Sequence, residues 1–314
     1  MGTHDDGFTL QAMESLLHER KNWGRWGADD RVGAFNLVDD AKRESATRLV
    51  RTGRVFSLAN ELFVAEKRPD NPNPPNLVYE GHDDGGGTQL LRDVVSPLRC
   101  HGYHGTHIDA LNHCWHASAG GMWNGRDPEV ETAGDTVEWG DITPWAGTGL
   151  ITRGVLVDIP RFRREPFVTQ DRPVRDSELE AALAAQGVQL EPGDALVVYS
   201  GREAWVRSTE DGQYFHGLAG GIPGLHASCL RVLRDHDVAA LCWDMLEAYP
   251  DEYGMGPSIH QAIWSFGIAI IDNCNLPALA EYCAEERRYE FLLMCAPLPI
   301  RGGTGSLVNP LALL

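Results

Sequence analysis

The sequence is short of three things that whole function classes require. Positive charge is the first: 27 Lys and Arg face 45 Asp and Glu, a formal net charge of −18 over 314 residues. Nucleic acids and anionic membranes are bound through basic footprints, so neither is an expected partner. Ordered cysteine is the second. The seven cysteines, at 100, 114, 229, 242, 274, 283 and 295, are odd in number, irregularly spaced and free of any CxxC pair. That pattern argues against a disulfide framework and for a reducing, cytoplasmic setting. Long apolar runs are the third: none reaches the roughly 18 residues that a membrane span needs. The N-terminal stretch MGTHDDGFTLQAMESLLHERKNWG lacks the basic and apolar regions of a signal peptide. Asp6 stands where an N-myristoylation start carries Ser or Thr. Asp84-Gly85-Gly86-Gly87-Thr88 has neither the GxGxxG spacing nor the lysine of a P-loop. No internal repeat or low-complexity linker divides the chain.

What remains is ordinary globular composition, 43% hydrophobic and 23% charged. GRVFSLANELF, GLITRGVLVDI, DALVVYSG, VAALCWDM, GIAIIDN and YEFLLMCAPL are short apolar runs bounded by Gly, Pro or Asp, and they read as strands. Several are apolar on both faces, as buried central strands are. A helix is expected over 43–50, capped by Asp39 or Asp40 and stopped by Gly53. Another opens at Asp176 or Ser177, buries Leu179, Ala182 and Leu183, and stops at Gly187. Leu225, Cys229, Val232 and Leu233 have helical spacing, as do Ile259, Ala262, Ile263 and Phe266. Strands that mix hairpin neighbours with strand–helix alternation predict an α/β fold: one domain, a mixed β-sheet core and peripheral helices. The four prolines and four glycines of residues 67–88 exclude a regular element there and predict a functional surface loop, with a linker as the alternative.

Chemistry concentrates in one place. Five of the twelve histidines, His101, His104, His107, His113 and His116, fall within sixteen residues. Such density points to metal binding or proton transfer. On an extended strand His107 and Asp109 project to the same side and can meet one ion. Imidazole and carboxylate donors without thiolate suit Zn²⁺ or Mn²⁺. Trp23, Trp26, Trp115 and Trp123 flank these motifs, as pocket walls for a flat substrate or as ordinary core. Cys100 and Cys114 bracket the cluster without a conventional ligand spacing.

His104-Gly105-Thr106-His107-Ile108-Asp109-Ala110-Leu111-Asn112-His113 resembles the HxGTHxDxxxH signature of the cyclase, or kynurenine-formamidase-like, metal-dependent hydrolases, isatin hydrolase among them. Further matches are Trp26-Gly27-Ala28-Asp29-Asp30 with Gly33 and Asn36, Arg153-Gly154-Val155-Leu156-Val157-Asp158, and Gly193-Asp194 with Tyr199-Ser200-Gly201. His260, the segment 267–272 and Gly303-Thr304-Gly305-Ser306-Leu307-Val308-Asn309-Pro310 complete them. The likeness spans residues 23–314, leaving 1–22 as an N-terminal extension or helix.

The resemblance implies a swivelling β/β/α-like fold, a homodimer or homotetramer, and one or two divalent ions, Zn²⁺ or Mn²⁺, per chain. It implies His107 and Asp109 as metal ligands and His113 in proton transfer. Tyr103 stands at the position of the family's first ligand, so His101 or His104 is the substitute. His260 and Asp272 occupy the positions of a second ion's His and Glu, with Asp one methylene shorter. Asp244 and Glu247 fall near the family's site. The expected activity is hydrolysis of a small cyclic or acyl amide, imide or lactone, with an aromatic or cyclic substrate. Water activated by the metal attacks the carbonyl, His113 serves as base and then acid, and a backbone N–H near Gly105-Thr106 helps hold the oxyanion. Ring closure by a cyclase or dehydratase is the alternative, and a metal-free binding protein is the third.

Overall fold

The apolar runs rich in β-branched residues form the middle of a nine-stranded mixed sheet. The computed structural model describes residues 7–62, 76–83, 89–96, 98–102, 105–116, 119–209, 221–254 and 256–314. Its strands are β1 (Val55–Ser57), β2 (Asn76–Asp83), β3 (Gln89–Ser96), β4 (His107–Asp109), β5 (Leu150–Asp158), β6 (Ala195–Tyr199), β7 (Ala240–Trp243), β8 (Ala269–Asp272), β9 (Glu290–Cys295), β10 (Gly305–Leu307) and β11 (Leu311–Leu313). The helices are α1 (Leu10–Glu19), α2 (Asp40–Thr47), α3 (Pro128–Glu131), α4 (Thr143–Ala146), α5 (Ile159–Arg163), α6 (Asp176–Gln186), α7 (Arg202–Ser208), α8 (Leu230–Asp235), α9 (Gln261–Phe266) and α10 (Pro277–Glu286). The sheet order is β1-β11-β9-β5-β6-β7-β8-β4-β10. Strands β5 to β8 run parallel, and every neighbouring pair outside them is antiparallel. Every residue of β6, β7 and β8 is buried, because elements cover both faces of the parallel core.

Helix ends follow their caps. Asp39 accepts the Lys42 N–H at 2.7 Å and starts α2, and Gly187 ends α6 in the left-handed region. Expected boundaries move at four helices. Helix α2 covers Asp40–Thr47, three residues upstream of the expected 43–50, and is closed by Arg48, well before Gly53. Arg175 is the residue that precedes α6; Asp176 lies inside the first turn, its carboxylate 2.9 Å from Arg231. Leu225 and Cys229 fall outside α8, since His226 caps a short 3₁₀ turn, Ala227–Cys229, ahead of it. Ile259 precedes α9. Part of 67–88 is also regular. Its prolines all precede residue 76, which frees Leu77, Val78 and Tyr79 to extend, and Asn76–Asp83 pairs with Gln89–Ser96 as a separate hairpin. Residues 67–75 and 84–88 lie outside the described ones.

Met13, Leu16 and Leu17 of α1 are buried in the same core as the sheet. Their burial contributes on the order of 5 kcal/mol before chain entropy is counted. Two stretches that carried the family likeness serve this frame. Asp194, fully buried, pairs with Arg153 at 2.6 Å and Lys42 at 2.6 Å, tying β5 and α2 to the turn before β6. Asp30 accepts the Gly33 N–H at 2.8 Å and Asn36 Nδ2 at 2.6 Å, and the turn it shapes docks through Ala34 N–H to the Gly267 carbonyl behind α9. All seven cysteines are free thiols. Among the described residues no helix is long and apolar enough to cross a membrane.

Candidate metal centre

Strand β4 is three residues long and wedged between β8 and β10, with His107 opposite Asp272 and Asp109 opposite Gly305. Alternation puts His107 and Asp109 on one face, and the register brings Asp272 to the same face. His107 Nε2 lies 3.6 Å from Asp109 Oδ1 and 3.6 Å from Asp272 Oδ2. His260, just ahead of α9, brings Nε2 to 3.6 Å from Asp109 Oδ2 and 3.4 Å from Asp272 Oδ2. His113, four residues past Asp109, places Nε2 3.6 Å from Asp109 Oδ2.

His101 arrives from the loop before β4, its Nδ1 2.8 Å from Asp109 Oδ1 and its ring stacked on His113 with centroids 3.9 Å apart. Gly305 makes room for it: a Cβ there would stand 2.7 Å from the His101 ring and 2.5 Å from the Ile108 carbonyl. The neighbouring Thr304 holds His101 Nε2 through its hydroxyl at 2.8 Å. The terminal glycine–threonine motif thus seats an imidazole.

Two groups of donors result, both built on Asp109: His107, Asp109 and Asp272, and His101, Asp109 and His113. Asp109 is fully buried, yet among the described residues neither carboxylate oxygen receives an aligned hydrogen bond. Buried carboxylates are ordinarily bonded or ligated, so the donor set fits a cation. Burial alone would raise the Asp109 carboxyl; His101, His113, His107 and His260 outweigh it and hold the group well below the usual carboxylate range. Burial opposes charge on His260 as well, but Glu247 and Asp272 push its imidazolium well above the ordinary value. His113 moves the other way: burial lowers it to about 4 against the pull of Asp109.

The sequence-predicted residues divide as follows. His101, His107, Asp109, His113, His260 and Asp272 converge. His104 and Tyr103 lie outside the described residues. His116 lines a cleft of about 360 Å³ with Trp115 and Gly121. Trp23 and Trp123 belong to the packing: their indoles donate to the Trp264 and Asp30 carbonyls, at 2.6 and 3.0 Å. Burial pushes the Cys114 thiol up to about 11, so it stays a thiol at neutral pH.

Sequence reasoning passed over the residues that hold the donors still. Trp243 Nε1 donates to Asp272 Oδ1. Asn273, in the left-handed region at φ 57°, donates from Nδ2 to the Gly102 and Gly105 carbonyls at 2.7 and 3.2 Å. Its own carbonyl accepts the Thr106 hydroxyl at 2.7 Å, which makes Thr106 an anchor of the loop. The signal for Asn273 was its place after a strand-end Asp, where Asn tolerates positive φ. Asp244 turns away from the donors and accepts the N–H groups of Ser200, Gly201 and Arg202 at 2.7, 2.9 and 2.9 Å. Burial nevertheless raises its carboxyl to about 6. Asp244→Ala leaves those three N–H groups without their acceptor. We expect a loss of roughly 3–5 kcal/mol in urea unfolding, with the metal content of the folded fraction unchanged.

The model of the Cyclase family, described as "Putative cyclase", matches residues 47–248. A crystal structure described as a novel cyclase superposes with a TM-score of 0.82 at 30% identity, covering 94% of this chain and 99% of that one. Isatin hydrolase A from Labrenzia aggregata, bound to benzyl benzoate, gives a TM-score of 0.54 at 16% identity over 82% of this chain and 93% of its own. An isatin hydrolase bound to the product analogue thioisatinate gives 0.53 at 17% identity, over 87% and 95%. At those identities the two hydrolases speak for the fold alone. No curated protein matches the sequence. With more than half of the chain matched by the family model, and a 30% identical structure covered almost end to end, the chain belongs to the Cyclase family.

Proposed function

We propose that the protein is a metal-dependent hydrolase that opens a small cyclic or acyl amide, imide or lactone. The observation that carries the reading is Asp109: a fully buried carboxylate with no aligned hydrogen bond, 2.8 Å from His101 Nδ1 and facing Nε2 of His107, His113 and His260. Imidazole and carboxylate donors without thiolate favour Zn²⁺ or Mn²⁺, one or two per chain. His107, Asp109, His260 and Asp272 would hold one ion, with His101 the substitute donor toward a second. When bound, a divalent ion supplies Lewis acidity, which polarises a carbonyl and brings the pKa of water toward ~7.

The chain's own residues do the rest. The His107 Nδ1 proton goes to the Gly105 carbonyl at 3.0 Å, which leaves Nε2 as the donor atom. His113, held neutral at pH 7, takes a proton at Nε2 from the attacking water and returns it to the departing nitrogen or oxygen. Its side chain is 28% exposed, whereas that of His107 is 3% exposed; His101 is as open at 29%, but its two nitrogens already face Asp109 and Thr304, so His113 is the imidazole assigned to the substrate. The Gly105-Thr106 backbone is the further donor assigned to the oxyanion. The net charge of −18 suits a small-molecule substrate in the cytoplasm, taken by a homodimer or homotetramer. A ring-closing cyclase or dehydratase is the second reading, favoured by the 30% identical structure described as a cyclase.

The test is elemental analysis of protein purified without tag or chelator, coupled to a hydrolysis panel of cyclic amides, imides and lactones. One or two equivalents of Zn or Mn, and hydrolysis lost to EDTA and restored by metal, are expected. No bound metal after addition, or chelator-resistant hydrolysis, rejects the reading.

A further inference from the structure

We propose that Glu247 is the positioning residue that fixes which nitrogen of His260 serves as a metal donor. The proposal deepens the metal-centre reading and rests on it. Both Glu247 oxygens lie on one ring nitrogen, with Oε2 2.8 Å and Oε1 3.1 Å from His260 Nδ1. The opposite nitrogen, Nε2, is the one that faces Asp109 and Asp272. A histidine binds metal through the lone pair of one nitrogen, and the bond made by the other decides which. A carboxylate on Nδ1 therefore commits Nε2 to the cluster and raises its basicity. Two other imidazoles of the cluster lean on weaker acceptors: His107 Nδ1 meets the Gly105 carbonyl, and His101 Nε2 meets the Thr304 hydroxyl.

The backbone is built to keep Glu247 in place. Leu225 N–H bonds the Leu246 carbonyl at 3.0 Å, and Ala248 N–H bonds the Leu225 carbonyl at 2.8 Å, so Glu247 sits between two tethers. Gly224 permits that approach, since a Cβ on it would fall 1.8 Å from the Leu246 carbonyl oxygen. Glu247 and His260 are both nearly fully buried, so their pair exchanges little with water. The arrangement is that of a donor histidine with its orienting carboxylate, not of a surface ion pair.

The experiment is a zinc titration in competition with a chromogenic chelator, run on the wild type, Glu247→Ala, Glu247→Gln, His260→Ala and the Glu247→Ala/His260→Ala double variant. Loss of the orienting carboxylate should weaken zinc binding by roughly 10–100-fold. Glu247→Gln keeps a carbonyl that accepts from Nδ1–H, so it should fall between wild type and Glu247→Ala. In the His260→Ala background, where His107, Asp109 and Asp272 still offer a weaker site, Glu247→Ala should cost nothing further. Wild-type affinity in Glu247→Ala overturns the proposal while leaving the metal centre standing, as does a loss that persists without His260. A wild type that takes up no zinc removes both. If Glu247→Ala does not fold, Glu247→Met, which keeps the volume and loses the acceptor, replaces it in the same cycle.

Discussion

Asp109→Asn is expected to abolish divalent-metal uptake and hydrolysis together. Asp109 is the one residue common to both donor groups, and both of its oxygens are engaged: Oδ1 faces His101 and His107, and Oδ2 faces His113 and His260. An amide offers one neutral oxygen where the carboxylate offers two sharing a charge. Its NH₂ would also point a donor at nitrogens that need an acceptor or a cation. Loss of an outer orienting partner costs roughly 10–100-fold in metal affinity, and loss of a shared inner carboxylate exceeds that. Activity should fall to that of chelator-treated wild type. The fold should survive, because β4 is held by backbone pairing to β8 and β10 on both sides. Metal per chain by elemental analysis, read beside circular dichroism, gives the answer. A folded Asp109→Asn protein with a full complement of zinc would sink the assignment of both donor groups.

Local patterns in the sequence made the sheet legible. The runs that became β5 to β8 combine β-branched residues with apolar character on both faces, and nothing in their surroundings competes with burial. The strand role of β4 followed from an i, i+2 argument about His107 and Asp109, but its neighbours did not. The pairing of His107 with Asp272 joins residues 165 positions apart, and no local rule supplies that register. His260 and Asp272 were reached by family likeness, because a histidine on an apolar helix face reads equally well as packing. The supporting residues were out of reach for the same reason. Trp243 and Asn273 are unremarkable letters until the chain brings them against a donor, and Thr304 and Gly305, though part of a matched motif, carried no assigned role until the fold set them beside His101. The proline-rich stretch before β2 misled in the opposite sense, since punctuation at both ends of a segment says little about the eight residues between. Asp244 and Glu247, both strand-end carboxylates, show the limit most clearly. Three residues apart in sequence, one caps the entry to α7 and the other grips a donor histidine.

The sharpest division of labour to test is between His113 and the residues around it. His113→Asn should leave the metal held by His107, Asp109, His260 and Asp272 in place and lower kcat by roughly 10²–10⁴, the usual worth of a positioned base. Metal content separates the two roles open to this imidazole, since His113 also belongs to a donor group with His101 and Asp109. If the variant loses an equivalent of zinc, His113 is a ligand and not the base. The pH dependence has a definite sign. Burial draws the His113 imidazole down to about 4, with Asp109 opposing, and a nearby cation drives it lower still. It is thus neutral and able to accept a proton throughout the neutral range, and its limb in kcat/KM should lie near or below pH 4 rather than near the free value of about 6.5. Folding senses the same group. Below about pH 6.5 the unfolded chain protonates this histidine and the metal-free native protein does not, so native stability falls as the pH drops from about 6.5 toward 4. Above that window the group contributes no pH dependence, because both states are neutral. The Asn variant should lose this part of the acid destabilisation while keeping the rest. Urea unfolding of metal-free protein at pH 7 and pH 5, for wild type and variant, reads the difference without any substrate. A variant as acid-sensitive as the wild type would mean that the imidazole is already solvated and protonates freely. A base that protonates freely could not account for hydrolysis sustained at pH 5.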